Sequence, residues 1–415
     1  MSNFVTAATA ATEEMREIFP ATPLLRNDYL SNRFAADIWL KREDLSPVRS
    51  YKIRGAFNAM RKRMAAVPGQ RHFVCASAGN HAQGVAYACR HFGVQGTIFM
   101  PVTTPQQKIM KTRSFGGAFV TIRLVGDFFD QSLAAAQAHC QQENAHFLSP
   151  FDDDDVIEGQ ASVAVEMMAQ MGHAPDMVIL PVGGGGLSAG VTRYLRESGA
   201  ATSLRYVEPL GGASLKAALA AGWPVTLDKV DSFVDGASVA RMGARTFAQL
   251  QHVAPDHVLI APENRICITM LDMLNVEGIV LEPAGALSLD VLPELAAQIA
   301  GKSVICLTSG GNFDFERLPE VKERAMRHAG TKKYLILRLP QRPGALRDFL
   351  ETLGPEDDIA RFEYLKKTAR NFGTVLIGIE TAQPENFQSL FARMRAAGFT
   401  FSDITEDDVI AGFVI

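Results

Sequence analysis

The sequence predicts a doubly wound α/β domain with a mostly parallel sheet, followed by a smaller α+β unit. Short apolar runs alternate with amphipathic helical stretches from about residue 35 to 310. The runs 177–182 and 303–308 are continuously apolar, as is typical of parallel strands that are covered on both faces. The alternation stops at the polar stretch 327–333, which indicates a second unit with a different plan.

The predicted elements of the first part alternate between strand and helix. They are strand 72–76, helix 81–92, strand 96–100, helix 105–115, strand 118–122, strand 177–182, a helix that opens at glycines 183–186 and runs through 195, and strand 303–308. We assign residues 1–326 to this domain, with a smaller subdomain at about 50–150. Ligands of such a domain bind at the carboxyl ends of the strands.

The second unit is predicted to span residues 334–415, after a linker at 327–333. Its predicted elements are strand 334–339, helix 346–353, strands near 359–365 and 374–380, helix 384–397 and strand 399–404. This β-α-β-β-α-β order is that of a ferredoxin-like fold. Arg342-Pro343-Gly344-Ala345 follows the first strand and predicts a turn that opens a helix. The open backbone groups at that helix N-terminus favour binding of an amino acid when two such units pair.

Composition excludes several classes of function. The 415 residues are 47% hydrophobic and 21% charged, with a net charge of −4, so we expect neither a nucleic-acid nor an anionic-membrane partner. Residues 1–11 have no basic start and no long apolar core, and no apolar run approaches the ~20 residues that span a bilayer. Five scattered cysteines without a Cys-x-x-Cys pair favour reduced thiols in a cytoplasmic protein.

Lys52 is the strongest candidate for a catalytic residue. It lies in Ser50-Tyr51-Lys52-Ile53-Arg54-Gly55-Ala56, which is predicted to begin a packed helix. A lysine held there loses solvation, which disfavours its ammonium form and makes the amine a nucleophile toward aldehydes. The alternative is an ordinary solvated lysine, which is far more common.

Gly183-Gly184-Gly185-Gly186-Leu187 follows an apolar strand and opens a helix. Successive glycines allow a sharp turn with exposed N–H groups, and the helix N-terminus adds partial positive charge, so the segment predicts a phosphate site. The pattern Gly184-x-Gly186-x-x-Ala189, with Glu208 about 20 residues further on, also fits a loose dinucleotide fingerprint. A nicotinamide-dependent dehydrogenase therefore remains an alternative, although it leaves Lys52 unexplained.

Two more segments lie at predicted strand ends. Ser77-Ala78-Gly79-Asn80-His81 offers amides and a hydroxyl to a substrate carboxylate, although on the residues alone Asn80 is more typical of a helix cap. Ser309, in Thr308-Ser309-Gly310-Gly311-Asn312, ends the last strand of the domain.

These four segments, taken in their order along the chain (50–56, 77–81, 183–187 and 308–312), resemble the pyridoxal-phosphate sites of fold-type II enzymes, and of threonine dehydratases in particular. The resemblance implies pyridoxal 5'-phosphate as cofactor, attached to Lys52, which also acts as the base. The implied cofactor contacts are Lys52, Asn80 (to the phenolic oxygen), Gly183, Gly184, Gly185, Gly186 and Leu187 (to the phosphate) and Ser309 (to the pyridine nitrogen). The implied substrate contacts are Ser77, Ala78, Gly79, Asn80 and His81, although His81 is more typical of a packing residue.

The resemblance extends to the second unit, which is similar to the ACT-like domain of feedback-controlled threonine dehydratases. It implies conversion of L-threonine to 2-oxobutanoate and ammonia, inhibition by isoleucine with valine opposing it, and a homotetramer. Relatives with two such units exist, and this sequence contains one.

Two further alternatives stay open on the sequence. A serine dehydratase or racemase would share the fold, but racemases have a serine where this chain has Ala78. A non-enzymatic amino-acid sensor that has kept the scaffold of an enzyme would not need Lys52. We predict no metal site, because Ala213 and Ser214 stand where relatives with a cation beside the Glu208 segment have acidic residues.

Overall fold

The computed structural model describes residues 2–365 and 371–407, and the chain divides into two units, Met1–Asp314 and Phe315–Ile415. The strands are β1 (Leu24–Arg26), β2 (Asp37–Arg42), β3 (His72–Ala76), β4 (Gln95–Met100), β5 (Val120–Leu124), β6 (His146–Phe147), β7 (Met177–Pro181), β8 (Ser203–Pro209), β9 (Val258–Ala261), β10 (Ser303–Thr308), β11 (Lys332–Pro340), β12 (Asp357–Leu365), β13 (Phe372–Thr381) and β14 (Thr400–Asp403).

The helices alternate with these strands through most of the first unit. They are α1 (Asn3–Met15), α2 (Asp28–Phe34), α3 (Lys52–Ala66), α4 (Asn80–Phe92), α5 (Gln106–Gly116), α6 (Phe129–Gln142), α7 (Asp154–Met171), α8 (Gly186–Glu197), α9 (Ser214–Ala221), α10 (Ala244–Leu250), α11 (Glu263–Glu277), α12 (Pro283–Asp290), α13 (Leu292–Ile299), α14 (Leu318–His328), α15 (Ala345–Leu350) and α16 (Asn386–Ala396). Among the described residues, no helix is long and apolar enough to cross a membrane.

The first unit contains two sheets. The larger has the order β1-β2-β10-β7-β8-β9, in which β1 is antiparallel to β2 and the other pairs are parallel. The smaller, β5-β4-β3-β6, is parallel throughout. The predicted α/β class is therefore confirmed, with the smaller sheet inside the predicted smaller subdomain.

Apolar faces of the strands are buried under helices on each sheet. Val178 and Leu180 of β7 share a core with Val191 of α8, whereas Phe73 and Cys75 of β3 pack with helices of the smaller subdomain. Burial on both faces explains why these strands have continuously apolar sequences. It also leaves the loops at their carboxyl ends as the place for a site.

The second unit has an antiparallel sheet of order β12-β13-β11-β14. Helices α15 and α16 pack Phe349 and Leu390 onto it, in agreement with the predicted α+β ferredoxin-like unit. Helix α15 ends at Leu350, three residues before the predicted end. The predictions for residues 366–370 and 408–415 lie outside the described residues.

The division between the units falls before the linker that we predicted at 327–333. Helix α14 continues to His328 and β11 begins at Lys332, so only a short turn remains between them. Lys332 pairs with Glu323 of α14 at 2.6 Å and with Glu380 of β13 at 2.9 Å. These ion pairs join α14 to the C-terminal sheet, and the structural division places this helix in the second unit, whereas the predicted first domain extends to residue 326.

Candidate active site

Lys52 is the first residue of α3 and lies beside the carboxyl end of β10. The preceding residue Tyr51 donates its backbone N–H to the Ser309 carbonyl at 3.2 Å, and Ser50 forms an isolated bridge with Gly310. Gly84 of α4 permits close packing here, because a Cβ at that position would lie 3.1 Å from the Lys52 carbonyl. Two elements far apart in sequence thus hold the start of α3.

The Lys52 amine lies deep among protein atoms, although part of the side chain is reachable from solvent. Its Nζ donates a hydrogen bond to the Pro150 carbonyl at 2.9 Å. Burial lowers the pKa of Lys52 to about 8, against the opposing effect of the Glu282 charge. The amine is therefore substantially neutral in mildly alkaline solution, which is the form that attacks carbonyls and accepts protons.

The four glycines after β7 lie close to Lys52, because both contact the segment that contains Pro150 and Phe151. Phe151 follows Pro150, and a Cβ on Gly184 would lie 2.3 Å from the Phe151 ring. A Cβ on Gly183 would lie 2.9 Å from the Ala237 backbone, and Gly185 has a φ of +90°. Three of the four glycines are thus required by contact or conformation.

Helix α8 begins at Gly186, and its N-terminus faces the same loop. No side chain within the described ranges caps its first turn, while Leu187 is buried in the core and anchors the helix. Backbone N–H groups at such an end, with the helix dipole behind them, attract an anion such as a phosphate.

The segment 77–81 connects β3 to α4, as predicted. Ser77 Oγ accepts a hydrogen bond from the Gly79 N–H at 3.2 Å, and a Cβ at Gly79 would meet no atom within 4 Å. The ring of His81 is buried and donates from Nε2 to the Leu148 carbonyl at 3.0 Å. Burial and the nearby Lys52 charge lower the pKa of His81 to about 3, so a substrate contact from this residue would come from its main chain.

Ser309 and Asn80 complete the predicted cofactor contacts. Ser309 is 3% exposed and donates its Oγ–H to the Ala284 carbonyl at 3.1 Å. Asn80 begins α4 and contacts Asn312 of the same β10 loop, whose Nδ2 donates to Asn80 Oδ1 at 2.8 Å. The loops after β3 and β10 are therefore joined by side chains.

Glu282 is the residue of this site that sequence reasoning missed. Its Oε1 accepts a hydrogen bond from Asn80 Nδ2 at 2.6 Å, and a Cβ on Gly310 would lie 2.1 Å from the same oxygen. Burial, with a contribution from the Asp235 charge, raises the pKa of Glu282 to about 7. The available signal was a carboxylate between Leu281 and Pro283 in an apolar run, which resembles a simple helix cap.

Glu208, the residue that a dinucleotide site would use, has other contacts. Its carboxylate accepts backbone hydrogen bonds from Leu215 at 2.6 Å and Lys216 at 2.9 Å, and thereby caps α9. Burial raises its pKa to about 7 despite these amides. Among the described residues, no cluster of three or more His, Cys, Asp or Glu could hold a metal ion.

These residues fit pyridoxal 5'-phosphate. A lysine amine with a lowered pKa suits the aldehyde, and the glycine loop, where Cβ atoms would collide, suits the phosphate at the start of α8. The fold and the site together define the class of pyridoxal-phosphate dependent enzymes. The corresponding family model, described as pyridoxal-phosphate dependent enzyme, matches residues 16–310, and residues 323–414 match the C-terminal regulatory domain of threonine dehydratase.

Similar proteins narrow the class. The chain is 45% identical over 399 residues to L-threonine dehydratase biosynthetic IlvA of Bacillus subtilis (strain 168). The matched region covers 96% of this chain and 94% of that protein. It is 47% identical over 388 residues to the protein of the same description from Mycobacterium leprae (strain TN), covering 93% and 90%. The processed form of threonine deaminase isoform 2 from Solanum lycopersicum has a similar structure, with a TM-score of 0.71 and 32% identity over 78% of this chain and 94% of that one.

The chain therefore belongs to the family of biosynthetic L-threonine dehydratases. The predicted family, cofactor class and regulatory domain are confirmed. The comparisons favour a dehydratase over the dehydrogenase that the glycine loop alone had left open.

Proposed function

We propose that this protein converts L-threonine to 2-oxobutanoate and ammonia with pyridoxal 5'-phosphate bound to Lys52. The observation that carries the proposal is the Lys52 amine, whose pKa is lowered to about 8 beside a glycine loop at a helix N-terminus. The relatives named above, described as threonine dehydratases, supply the substrate.

Lys52 has two tasks in this proposal. Its neutral amine would hold the cofactor through the aldehyde, and as a free amine it accepts the proton from the substrate Cα. When bound, pyridoxal 5'-phosphate supplies an electron sink that acidifies this Cα–H bond. The hydrogen bond to the Pro150 carbonyl limits the positions of the amine and so favours transfer over a short distance.

The N-termini of α8 and α4 each bind one anionic group, the cofactor phosphate and the substrate carboxylate respectively. The first turn of α8 and the loop 183–187 bind the cofactor phosphate, and the first turn of α4 with the amides of 77–81 binds the substrate carboxylate. Helix dipoles favour negative charge at both ends. Holding the substrate by its carboxylate fixes the orientation of the bond to be broken.

Ser309 supports elimination over transamination. Its hydroxyl is neutral and donates a hydrogen bond to the Ala284 carbonyl. A carboxylate at this position would hold the pyridine nitrogen protonated, whereas a hydroxyl leaves a weaker electron sink. A weak sink suits loss of the β-hydroxyl without a long-lived carbanion.

The residue at position 78 argues against a racemase. Racemisation needs an acid on the second face of the substrate, and Ala78 has no proton to give. Threonine and serine differ by one methyl group, worth only ~1–3 kcal/mol in a pocket, so some turnover of serine accompanies that of threonine.

The test uses the purified protein with added cofactor. A visible absorption band that borohydride removes, a cofactor-sized mass on the Lys52 peptide and formation of 2-oxobutanoate are expected together. Lys52→Ala abolishes all three, while Lys62→Ala, on the same helix and partly exposed, retains them. Near-normal turnover by Lys52→Ala would exclude Lys52 as the catalytic lysine.

We propose further that isoleucine inhibits the enzyme by binding the second unit. A cavity of about 430 Å³ lies where the predicted turn meets the sheet, and it is lined by Leu339, Pro340, Arg342, Gly344, Ala345, Leu346, Arg347, Leu350, Phe362 and Tyr364. The aliphatic and aromatic side chains suit a branched apolar side chain, and the two arginines suit a carboxylate. Valine, which is smaller, competes for the same cavity and opposes the inhibition.

Binding of isoleucine is measured by its effect on threonine affinity. Allosteric coupling typically shifts affinity by about 5- to 150-fold. Arg347→Ala, in the cavity, reduces this shift, and Arg395→Ala, on α16 beside Phe401, leaves it unchanged. The reverse pattern would place the effector elsewhere.

The resemblance to this family also supports a homotetramer, which light scattering of the purified protein tests directly. Four of the five cysteines are buried, and their scattered positions support a cytoplasmic location with reduced thiols.

A further inference from the structure

A buried carboxylate at the active site has no role in the function proposed above. Glu282 is 6% exposed and lies just before α12, on the opposite side of Asn80 from Asn312. Buried carboxylates are costly unless they are hydrogen-bonded or paired with a charge. The contacts of Glu282 therefore indicate what it does.

Three side chains form a continuous hydrogen-bonded chain. Asn312 Nδ2 donates both to the Val48 carbonyl and to Asn80 Oδ1, each at 2.8 Å. Asn80 Nδ2 then donates to Glu282 Oε1 at 2.6 Å. Rotating the Asn80 amide by half a turn would set its NH2 group against that of Asn312 and its oxygen against the carboxylate. Both ends of the Asn80 amide are thus fixed, and its second N–H keeps one direction.

The same carboxylate acts on Lys52 by its charge. The charge of Glu282 favours the ammonium form of Lys52 and opposes the effect of burial. Among the described residues, Asp235, Lys108 and Lys111 also act on Glu282 by their charges, and the phenol of Tyr51 lies beside Lys52 and within the field of Glu282. Lys108 is paired with Asp235, so that pair contributes little net charge.

We propose that Glu282 is a positioning residue of the active site, which orients the Asn80 amide by its hydrogen bond and stabilises the ammonium form of Lys52 by its charge. This inference rests on the proposed function, in which Asn80 contacts the cofactor and Lys52 accepts the Cα proton. Lys52 becomes an ammonium when it takes that proton, and an adjacent negative charge stabilises this state. Glu282 then supports the basicity of Lys52 without touching the reacting atoms.

The first test measures Lys52 in full-length protein freed of cofactor. Acetic anhydride labels neutral amines, and the extent of labelling of the Lys52 peptide is followed by mass spectrometry as a function of pH. Glu282→Gln removes the charge and retains an acceptor oxygen, so the labelling midpoint of Lys52 moves down by about one pH unit or more. Glu263→Gln is the matched control, because Glu263 is also buried but accepts from the Gly211 amide.

The second test separates the hydrogen bond from the charge. Glu282→Ala removes both, and Asn312→Ala removes only the other contact that fixes Asn80. Both variants should weaken binding of pyridoxal 5'-phosphate by about tenfold or more, as expected for loss of a hydrogen bond to a charged group or to its oriented partner. Only the Glu282 variants should move the Lys52 midpoint, and Glu282→Gln should lower kcat for threonine with little change in KM.

The outcomes distinguish this inference from the proposed function. An unchanged Lys52 midpoint in Glu282→Gln, or unchanged cofactor affinity in both alanine variants, would overturn the role of Glu282. If Lys52→Ala also kept its activity, the proposed function itself would fail. Circular dichroism of each cofactor-free variant establishes that it is folded before these measurements are compared.

Discussion

Replacing Arg54 by methionine should destabilise the first unit strongly, because Arg54 lies at the centre of a buried ionic network. Its guanidinium is fully buried and contacts two carboxylates, with Nε 2.8 Å from Glu43 Oε2 and Nη2 2.7 Å from Glu166 Oε2. Lys41 also contacts Glu166 Oε2, at 2.7 Å. The network joins the helix that begins at Lys52 to β2 and α7.

The magnitude follows from leaving buried charge without a partner. Removing one member of a buried ion pair typically costs ~3–5 kcal/mol, because the remaining charge stays desolvated. In the variant, two buried carboxylates share Lys41 and the partly exposed Arg16. For a unit the size of Met1–Asp314, this loss corresponds to a fall in Tm of about 5 to 8 °C.

The pH dependence has a definite sign. Burial alone would raise the pKa of Glu166, but the charges and hydrogen bonds of Arg54 and Lys41 outweigh it and hold this pKa well below its ordinary value. A lowered pKa contributes stability that is present above the unfolded pKa and is lost as the pH falls. The difference between the wild type and Arg54→Met is therefore largest near neutral pH and shrinks below about pH 4.

Thermal and urea unfolding of the cofactor-free proteins, followed by circular dichroism, measure this difference. Arg61→Met is the matched control on the same helix, since Arg61 is partly exposed and pairs with Glu14 at 2.5 Å; such pairs contribute at most ~1 kcal/mol. Adding Glu43→Gln to Arg54→Met should recover part of the loss. Equal destabilisation by the Arg54 and Arg61 variants, or a difference that does not depend on pH, would refute the reasoning.

Four further outcomes are expected. Gly184→Ala places a Cβ 2.3 Å from the Phe151 ring and should weaken pyridoxal 5'-phosphate binding by ~10-fold, measured by absorbance titration; normal affinity would mean that the loop does not hold the phosphate. Ser309→Asp should raise transamination relative to elimination, seen as accumulating pyridoxamine phosphate, and an unchanged product ratio would show that residue 309 does not face the pyridine nitrogen. Ala78→Ser should add slow exchange of the serine Cα proton detectable by NMR, and racemisation by the wild type would contradict this view. A chain shortened to end at Asp314 should keep activity and lose its response to isoleucine, whereas equal responses in both proteins would reject a regulatory role for the second unit.

Much of the fold was predictable because short sequence patterns indicate its strands, turns and helices. The continuously apolar runs of β7 and β10 indicate buried parallel strands, and the glycines after β7 mark a turn into a helix. Lys52 stood out because a charged residue begins a helix whose next residues are buried. Each of these signals is contained within about ten neighbouring residues, so no knowledge of distant contacts was needed.

The remaining features depend on contacts between distant segments. Asn80 and Glu282 are 202 positions apart, and nothing near either residue indicates that they meet. The division at Asp314 differs from the predicted boundary, and helix α14 has an ordinary amphipathic sequence that fits either unit. Its assignment depends on the pairing of Glu323 with Lys332, which only the folded sheet makes apparent.

Glu208 and Glu282 show that a perturbed pKa alone does not identify a functional group. Burial raises the pKa of both to about 7, so the two carboxylates are alike by this measure. Glu208 contacts backbone amides at the start of a helix, which is what a helix cap does. Glu282 instead contacts Asn80 and acts on Lys52, two side chains that are expected to meet the cofactor. The partners of a buried carboxylate, more than the size of its pKa shift, therefore separate a structural cap from a residue of the active site.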